Sequence, residues 1–129
     1  MKTVGLRTYS LSPAEFPITI LITASGLAIN RAVIGQSRVT LEGILLERLV
    51  PELEEDLDAG TVRFEIPLPS APPAPFDITQ TIDCWFTSDA SSDARYQFVI
   101  SAKSGDSFGT TVRVPTINPG RANLAFRVE

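Results

Sequence analysis

The residue types that most often carry out catalysis are nearly absent from this chain. It contains no histidine and a single cysteine, Cys84. The lack of histidine excludes Ser-His-Asp catalysis, Cys-His catalysis and the usual zinc sites. One cysteine forms neither an intramolecular disulfide nor a multi-thiolate metal site, and Cys84 falls on the apolar side of its segment, where a thiol behaves as a small hydrophobic group. We therefore expect a protein that is not an enzyme and has no cofactor.

Carboxylates form the densest group of ionisable residues. This acidic segment places five of them within seven residues, Glu52, Glu54, Glu55, Asp56 and Asp58. Residues 40–58 hold seven acids against Arg48, a net charge of −6, whereas the rest of the chain has a net charge of +2. Such a run is typical of a solvated helix face, with acids favoured near the helix N-terminus. The alternative is a docking surface for a basic partner, or for the arginine-bearing sheet face of another copy.

Three further acids lie in segments that are rich in turn-forming residues. Asp89, Asp93 and Asp106 occur in two predicted loops, and calcium sites in β-sandwiches often take aspartates from neighbouring loops. However, the two loops bracket one predicted strand and should lie at its opposite ends. Aspartate is also a common turn residue without any metal. These residues are weak metal candidates, and a calcium-dependent, membrane-docking sandwich is our second alternative function.

A set of arginines and the only tryptophan fall on predicted outward-facing strand positions. They are Trp85, Arg63, Arg95, Arg113 and Arg127. Arginine and tryptophan are enriched at binding hot spots, because they combine a large contact area with polar groups. We expect this Arg/Trp-bearing face and the acidic segment to bind a protein partner or a second copy of the chain. The first alternative is a carbohydrate or small ligand stacked on Trp85.

The elements that must position these residues are mostly strands. Apolar side chains alternate with polar ones in the second half of the chain, with Ile78, Ile82, Cys84 and Phe86 on one side and Thr79, Thr81, Asp83 and Trp85 on the other. Gln80 is the one polar residue on the apolar side. The same two-residue period recurs at 61–66, 95–101, 111–114 and 123–128, and it indicates strands with one buried face in antiparallel sheets. Short polar turns between the last four strands favour a meander or part of a Greek key.

The first half has weaker patterns. Strands are predicted at 3–11, 18–24, 27–34 and about 38–46, followed by a short helix at about 51–58. Leu41, Leu45, Leu49, Leu53 and Leu57 recur every four residues, as on a helix face. Pro51 is well placed to begin such a helix and Gly60 to end it. Residues 67–75 contain five prolines and predict an extended crossover between two sheets.

Together these features predict one all-β domain over residues 1–129, an antiparallel β-sandwich of about eight strands with one short helical insertion near 51–58. A small β-barrel is the alternative. The net charge of −4 and the pI near 4.8 disfavour nucleic-acid binding. No apolar run is long enough to cross a membrane, and Glu15 with two prolines argues against a signal peptide, which slightly favours a cytoplasmic location.

Overall fold

Strands dominate the computed structural model, which describes residues 2–25, 29–56, 61–70, 73, 75–86, 95–103, 105, 107–113 and 120–129. The strands are β1 (Lys2–Leu11), β2 (Ile18–Ser25), β3 (Ile29–Ile34), β4 (Ser37–Leu41), β5 (Ile44–Leu49), β6 (Glu52–Asp56), β7 (Thr61–Ile66), β8 (Phe76–Phe86), β9 (Arg95–Ser101), β10 (Ser107–Arg113) and β11 (Gly120–Val128). One turn of 3-10 helix, Pro13–Glu15, is the only helical element in these residues.

The strands form two sheets. Sheet A has the order β1, β11, β8, β4, β5, with β3 also paired to β8, and sheet B has the order β10, β9, β2, β7, β6. Among the described pairings only β1 with β11 is parallel. Side chains from both sheets, among them Phe64, Phe98 and Phe126, form one buried cluster. The predicted all-β sandwich is confirmed, and the barrel alternative is wrong because neither sheet closes.

The two-residue alternation reports the buried face correctly. Ile78, Gln80, Ile82 and Cys84 of β8 are buried, whereas Thr79 and Thr81 are exposed. On β7 the buried residues are Val62, Phe64 and Ile66, and Arg63 and Glu65 are exposed. Each strand therefore contributes one apolar face to the space between the sheets, which is where the hydrophobic driving force of this fold is concentrated.

The predicted single strand at 38–46 is wrong. Residues 37–49 form a hairpin of β4 and β5, in which Leu41 pairs with Ile44 across a two-residue turn. Both turn residues have left-handed backbones, with φ of 52° at Glu42 and 81° at Gly43. Two-residue hairpins favour this conformation because its twist matches that of the strands. The sequence did not indicate it, since glutamate is an unusual residue at such a position.

The predicted helix at 51–58 is also wrong. Residues Glu52–Asp56 form β6, which pairs antiparallel with β7. The leucine spacing explains the error, because a period of four residues is also a multiple of the strand period of two. Leu45 and Leu49 indeed share the half-buried side of β5. Residues 57–60 lie outside the described residues.

The last four strands do not form a simple meander. β8 and β11 pair in sheet A, whereas β9 and β10 pair in sheet B. The fourth strand thus returns beside the first, as in a Greek key, while the two strands between them belong to the opposite sheet. The chain also changes sheets between β5 and β6, across residues 50 and 51, and between β7 and β8, across the proline-rich segment 67–75.

The fully buried Gln80 spans a break between two strands. β3 and β4 pair with successive halves of β8, and Gly35 and Gln36 interrupt them. The Nε2 atom of Gln80 donates to the carbonyl oxygens of Gly35 at 2.6 Å and of Thr81 at 2.8 Å. Its Oε1 atom accepts a hydrogen bond from the hydroxyl of Ser37. The amide thus provides the hydrogen bonds that the interrupted ladder lacks, as buried polar groups require.

Within the described residues, no helix is long and apolar enough to span a lipid bilayer.

Candidate interaction surfaces

The outer face of sheet A carries Trp85 beside an arginine that the sequence did not single out. Arg31 of β3 lies directly opposite Trp85 of β8, and its guanidinium carbon is 4.7 Å from the centre of the indole ring. This is a cation–π contact. Trp85 is half-buried and Arg31 is exposed. Stacking of a sugar on Trp85 stays a prediction, and it would need the other ring face or displacement of Arg31.

Two ion pairs bridge β8 and β11 on the same face. Arg121 binds Asp83 through Nε at 2.9 Å and through a terminal nitrogen at 3.1 Å. Arg127 contacts both carboxylate oxygens of Asp77 at 3.0 Å. The hydrogen bond and charge of Asp83 raise the pKa of Arg121 above its ordinary value. Sequence reasoning missed Arg121, because it began the last strand at Asn123, whereas β11 begins at Gly120.

The structure does not bring the predicted Arg/Trp residues together on one sheet face. Trp85 and Arg127 belong to sheet A, and Arg63 is exposed on β7 of sheet B. Arg95 and Arg113 lie directly opposite each other on β9 and β10, also in sheet B. The grouping is therefore wrong as a single surface. Alternation indicates which residues of a strand point outward, but it does not indicate to which sheet the strand belongs.

Most of the acidic segment is an edge strand. β6 occupies the end of sheet B, where Glu52 pairs with Glu65 and Glu54 pairs with Arg63 of β7. Like charges directly opposite each other on neighbouring strands are unfavourable, and opposite charges are favourable. Glu55 and Asp56 complete the strand, whereas Asp58 lies outside the described residues.

Exposed apolar side chains gather beside this acidic strand. Five large hydrophobic side chains are exposed in the described part of the chain, and four of them lie between residues 44 and 68: Ile44 (68%), Leu46 (38%), Val50 (72%) and Leu68 (55%). Ile44 and Leu46 belong to β5, the edge strand of sheet A. Val50 directly links this strand to β6. We name residues 44–56 the β5–β6 margin.

Two of the connections that cross between the sheets, β5 to β6 and β7 to β8, meet at the β5–β6 margin. A depression of about 270 Å³ is lined by Val50 and Pro67, one from each crossover, together with Pro17 and Glu65. The hydroxyl of Ser70 donates to Glu47 of β5 at 3.0 Å. The margin therefore combines an unpaired apolar edge, an unpaired acidic edge and a shallow apolar depression within the described structure.

The remaining candidates from the sequence are three aspartates and Cys84. Asp89, Asp93 and Asp106 lie outside the described residues, and a metal site at them stays a prediction. No cluster of three potential metal ligands occurs in the described segments. Cys84 is buried, and burial, followed by the charge of Asp83, raises the pKa of its thiol to about 12. Such a thiol stays protonated near neutral pH and is a poor nucleophile.

No protein-family model matches the sequence, and no curated protein or solved structure matches it.

Proposed function

We propose that this protein is a non-catalytic protein-interaction and assembly module that binds its partner through the β5–β6 margin. The observation that carries the proposal is the concentration of exposed apolar side chains on the free edge strand β5 and directly after it, where Ile44 is 68% and Val50 is 72% exposed. A free strand edge offers unpaired N–H and C=O groups to another chain. Contiguous exposed apolar groups rimmed by polar residues mark protein-binding surfaces.

The acidic strand β6 defines the kind of partner. Its four acids have a net charge of −4 in five residues, directly beside the apolar edge. Electrostatic complementarity mainly sets association rate and specificity, and apolar burial supplies much of the affinity. The preferred partner is therefore an extended protein segment with apolar and basic side chains. The Arg/Trp residues of the sequence-based prediction contribute less, because Arg31 stacks on Trp85 and Asp77 binds Arg127.

The test is cross-linking of the tagged protein in an extract of its source cells, followed by mass spectrometry. The margin variant is Ile44→Thr/Leu46→Thr, because threonine retains strand propensity and removes the apolar surface. The matched control is Val33→Thr, since Val33 is an exposed hydrophobic residue of β3, away from the margin, at 41%. Circular dichroism checks that all variants are folded.

We expect the wild-type protein and Val33→Thr to cross-link to the same proteins through residues 44–56. The margin variant should lose those cross-links. Equal cross-linking by the margin variant, or cross-links confined to the face around Trp85, would show that the margin is not the contact surface.

A further inference from the structure

The opposite edges of the two sheets differ in charge from the β5–β6 margin. β5 and β6 together contain five acids and one arginine, a net charge of −4. β1 and β10, the strands at the other ends of sheets A and B, contain Lys2, Arg7 and Arg113 and no acid, a net charge of +3. We name β1 and β10 the basic edges. The described sandwich thus has an acidic side and a basic side, both with free strand edges.

Each charged edge also contains like charges in direct cross-strand positions. Glu52 lies opposite Glu65 at the acidic edge, and Arg113 lies opposite Arg95 at the basic edge. Pairs of this kind are unfavourable unless opposite charge lies nearby. The registers across sheet B align Asp56 with Thr111. Arg113 therefore lies two residues beyond the level of Asp56, whereas Glu52 lies level with Ser107, at the other end of β10.

From these placements we infer that the partner is a second copy of this chain, bound head to tail, with the β5–β6 margin of one copy against the basic edges of the next. If the two copies have the same orientation, β5 of one copy runs antiparallel to β1 of the next copy. In the same arrangement β6 of the first copy runs parallel to β10 of the next. Both arrangements are ordinary sheet pairings. The contact covers the edge strand that carries Ile44 and Leu46, and it places the acids of β6 beside the strand that carries Arg113.

A symmetric dimer is disfavoured by the same charges. Antiparallel pairing of β6 with its own copy would oppose acids with acids, because four of its five residues are acidic. A heterologous contact leaves one free edge at each end, so the assembly grows with concentration instead of stopping at two copies. This inference rests on the proposed function, since it names the partner of the same margin.

The test is sedimentation velocity of the purified full-length protein over a range of concentrations at low and high salt. We expect a series of oligomers that grows with concentration and shrinks at high salt, because exposed charges are screened over ~8 Å at physiological ionic strength. Glu52→Lys/Asp56→Lys should weaken association by ~10-fold or more, because like charges at an interface are costly. Arg113→Glu should also weaken it, and combining the three substitutions should restore part of the association.

Thr79→Glu is the control, because Thr79 is exposed on β8 at the centre of sheet A, away from the strands at both ends. It should leave association unchanged. Several outcomes would overturn the inference: a monomer at every concentration and salt, a dimer as the largest species, or stronger association after reversal of the β6 charges. The last result would mean that the acids only keep the edge from pairing. Cross-links from residues 44–56 to another protein would then still support the proposed function alone.

Discussion

Replacement of Gln80 by leucine should be among the most damaging substitutions of similar volume in this protein. Gln80 is fully buried, and its amide bonds to the Gly35 carbonyl, the Thr81 carbonyl and the Ser37 hydroxyl. The Thr81 carbonyl would keep a second partner, the N–H of Gly35 at 3.1 Å. The Gly35 carbonyl and the Ser37 hydroxyl would lose theirs. Each buried unsatisfied group costs about 1–3 kcal/mol, so Gln80→Leu should lower the free energy of unfolding by about 2–6 kcal/mol.

Urea denaturation followed by the fluorescence of Trp85 measures this loss. Ser37→Ala is the milder companion, because it leaves one buried group, Oε1 of Gln80, without its partner, and it should cost about 1–3 kcal/mol. The double variant should lose less stability than the sum of the losses measured for the two single variants, since both substitutions break the same network. A Gln80→Leu protein within about 0.5 kcal/mol of the wild type, a change usual for surface substitutions, would refute the reasoning.

Three further predictions concern other parts of the described structure. Gly109→Ala should lower stability by about 1–3 kcal/mol in thermal unfolding, because an added Cβ would lie 2.0 Å from the carbonyl oxygen of Phe98; an unchanged melting temperature would contradict the β9–β10 geometry. Glu42→Asn should raise stability by about 0.5–1 kcal/mol in urea denaturation, because asparagine tolerates the left-handed backbone of the β4–β5 turn better than glutamate; a loss would mean that the turn is different. Cys84 should react with iodoacetamide at pH 8 far more slowly in the folded protein than in urea, because burial raises its pKa to about 12 from 9.0; equal rates would show that the thiol is accessible.

The same pKa shift makes stability depend on pH in a defined direction. In the folded protein the pKa of the Cys84 thiol is about 12, whereas in the unfolded chain it is near 9.0. The unfolded state therefore binds fewer protons between these values, and stability should fall as the pH rises through this window. A Cys84→Ala variant, measured in parallel, removes this contribution and leaves that of other groups.

Local alternation was sufficient to predict which side chains form the core. Phe64, Ile78 and Phe126 are buried as predicted. Successive side chains of a strand point to opposite faces, so a strand with one solvent-exposed face has an apolar residue at every second position. Even the exception was informative, since Gln80 is the polar residue on the apolar side and has a structural role at the strand break.

The sequence was insufficient where two structures share one pattern. The four-residue spacing from Leu41 to Leu57 fits a helix face and also one side of a strand. In the structure β5 and β6 are both strands. Pairing between distant strands decides such cases, because tertiary contacts override local propensity.

The candidate site could be predicted only in part. The acidic segment was visible as composition, but its place on a free edge beside the exposed Ile44 and Val50 depends on the order of strands in each sheet. For the same reason the predicted Arg/Trp face was divided, since Trp85 and Arg63 belong to different sheets. Strand order depends on which distant strands pair with each other, and a single sequence does not show this.

Hydrogen exchange followed by mass spectrometry tests the central claim most directly, by comparing the dilute protein with the protein at a concentration where it associates. The account predicts that peptides covering residues 44–56 gain protection on association, because the free edges of β5 and β6 acquire hydrogen-bond partners. Peptides from β8, at the centre of sheet A, should exchange at the same rate in both samples. Protection confined to residues 29–34 and 76–86, around Trp85 and Arg31, with none over residues 44–56, would contradict it.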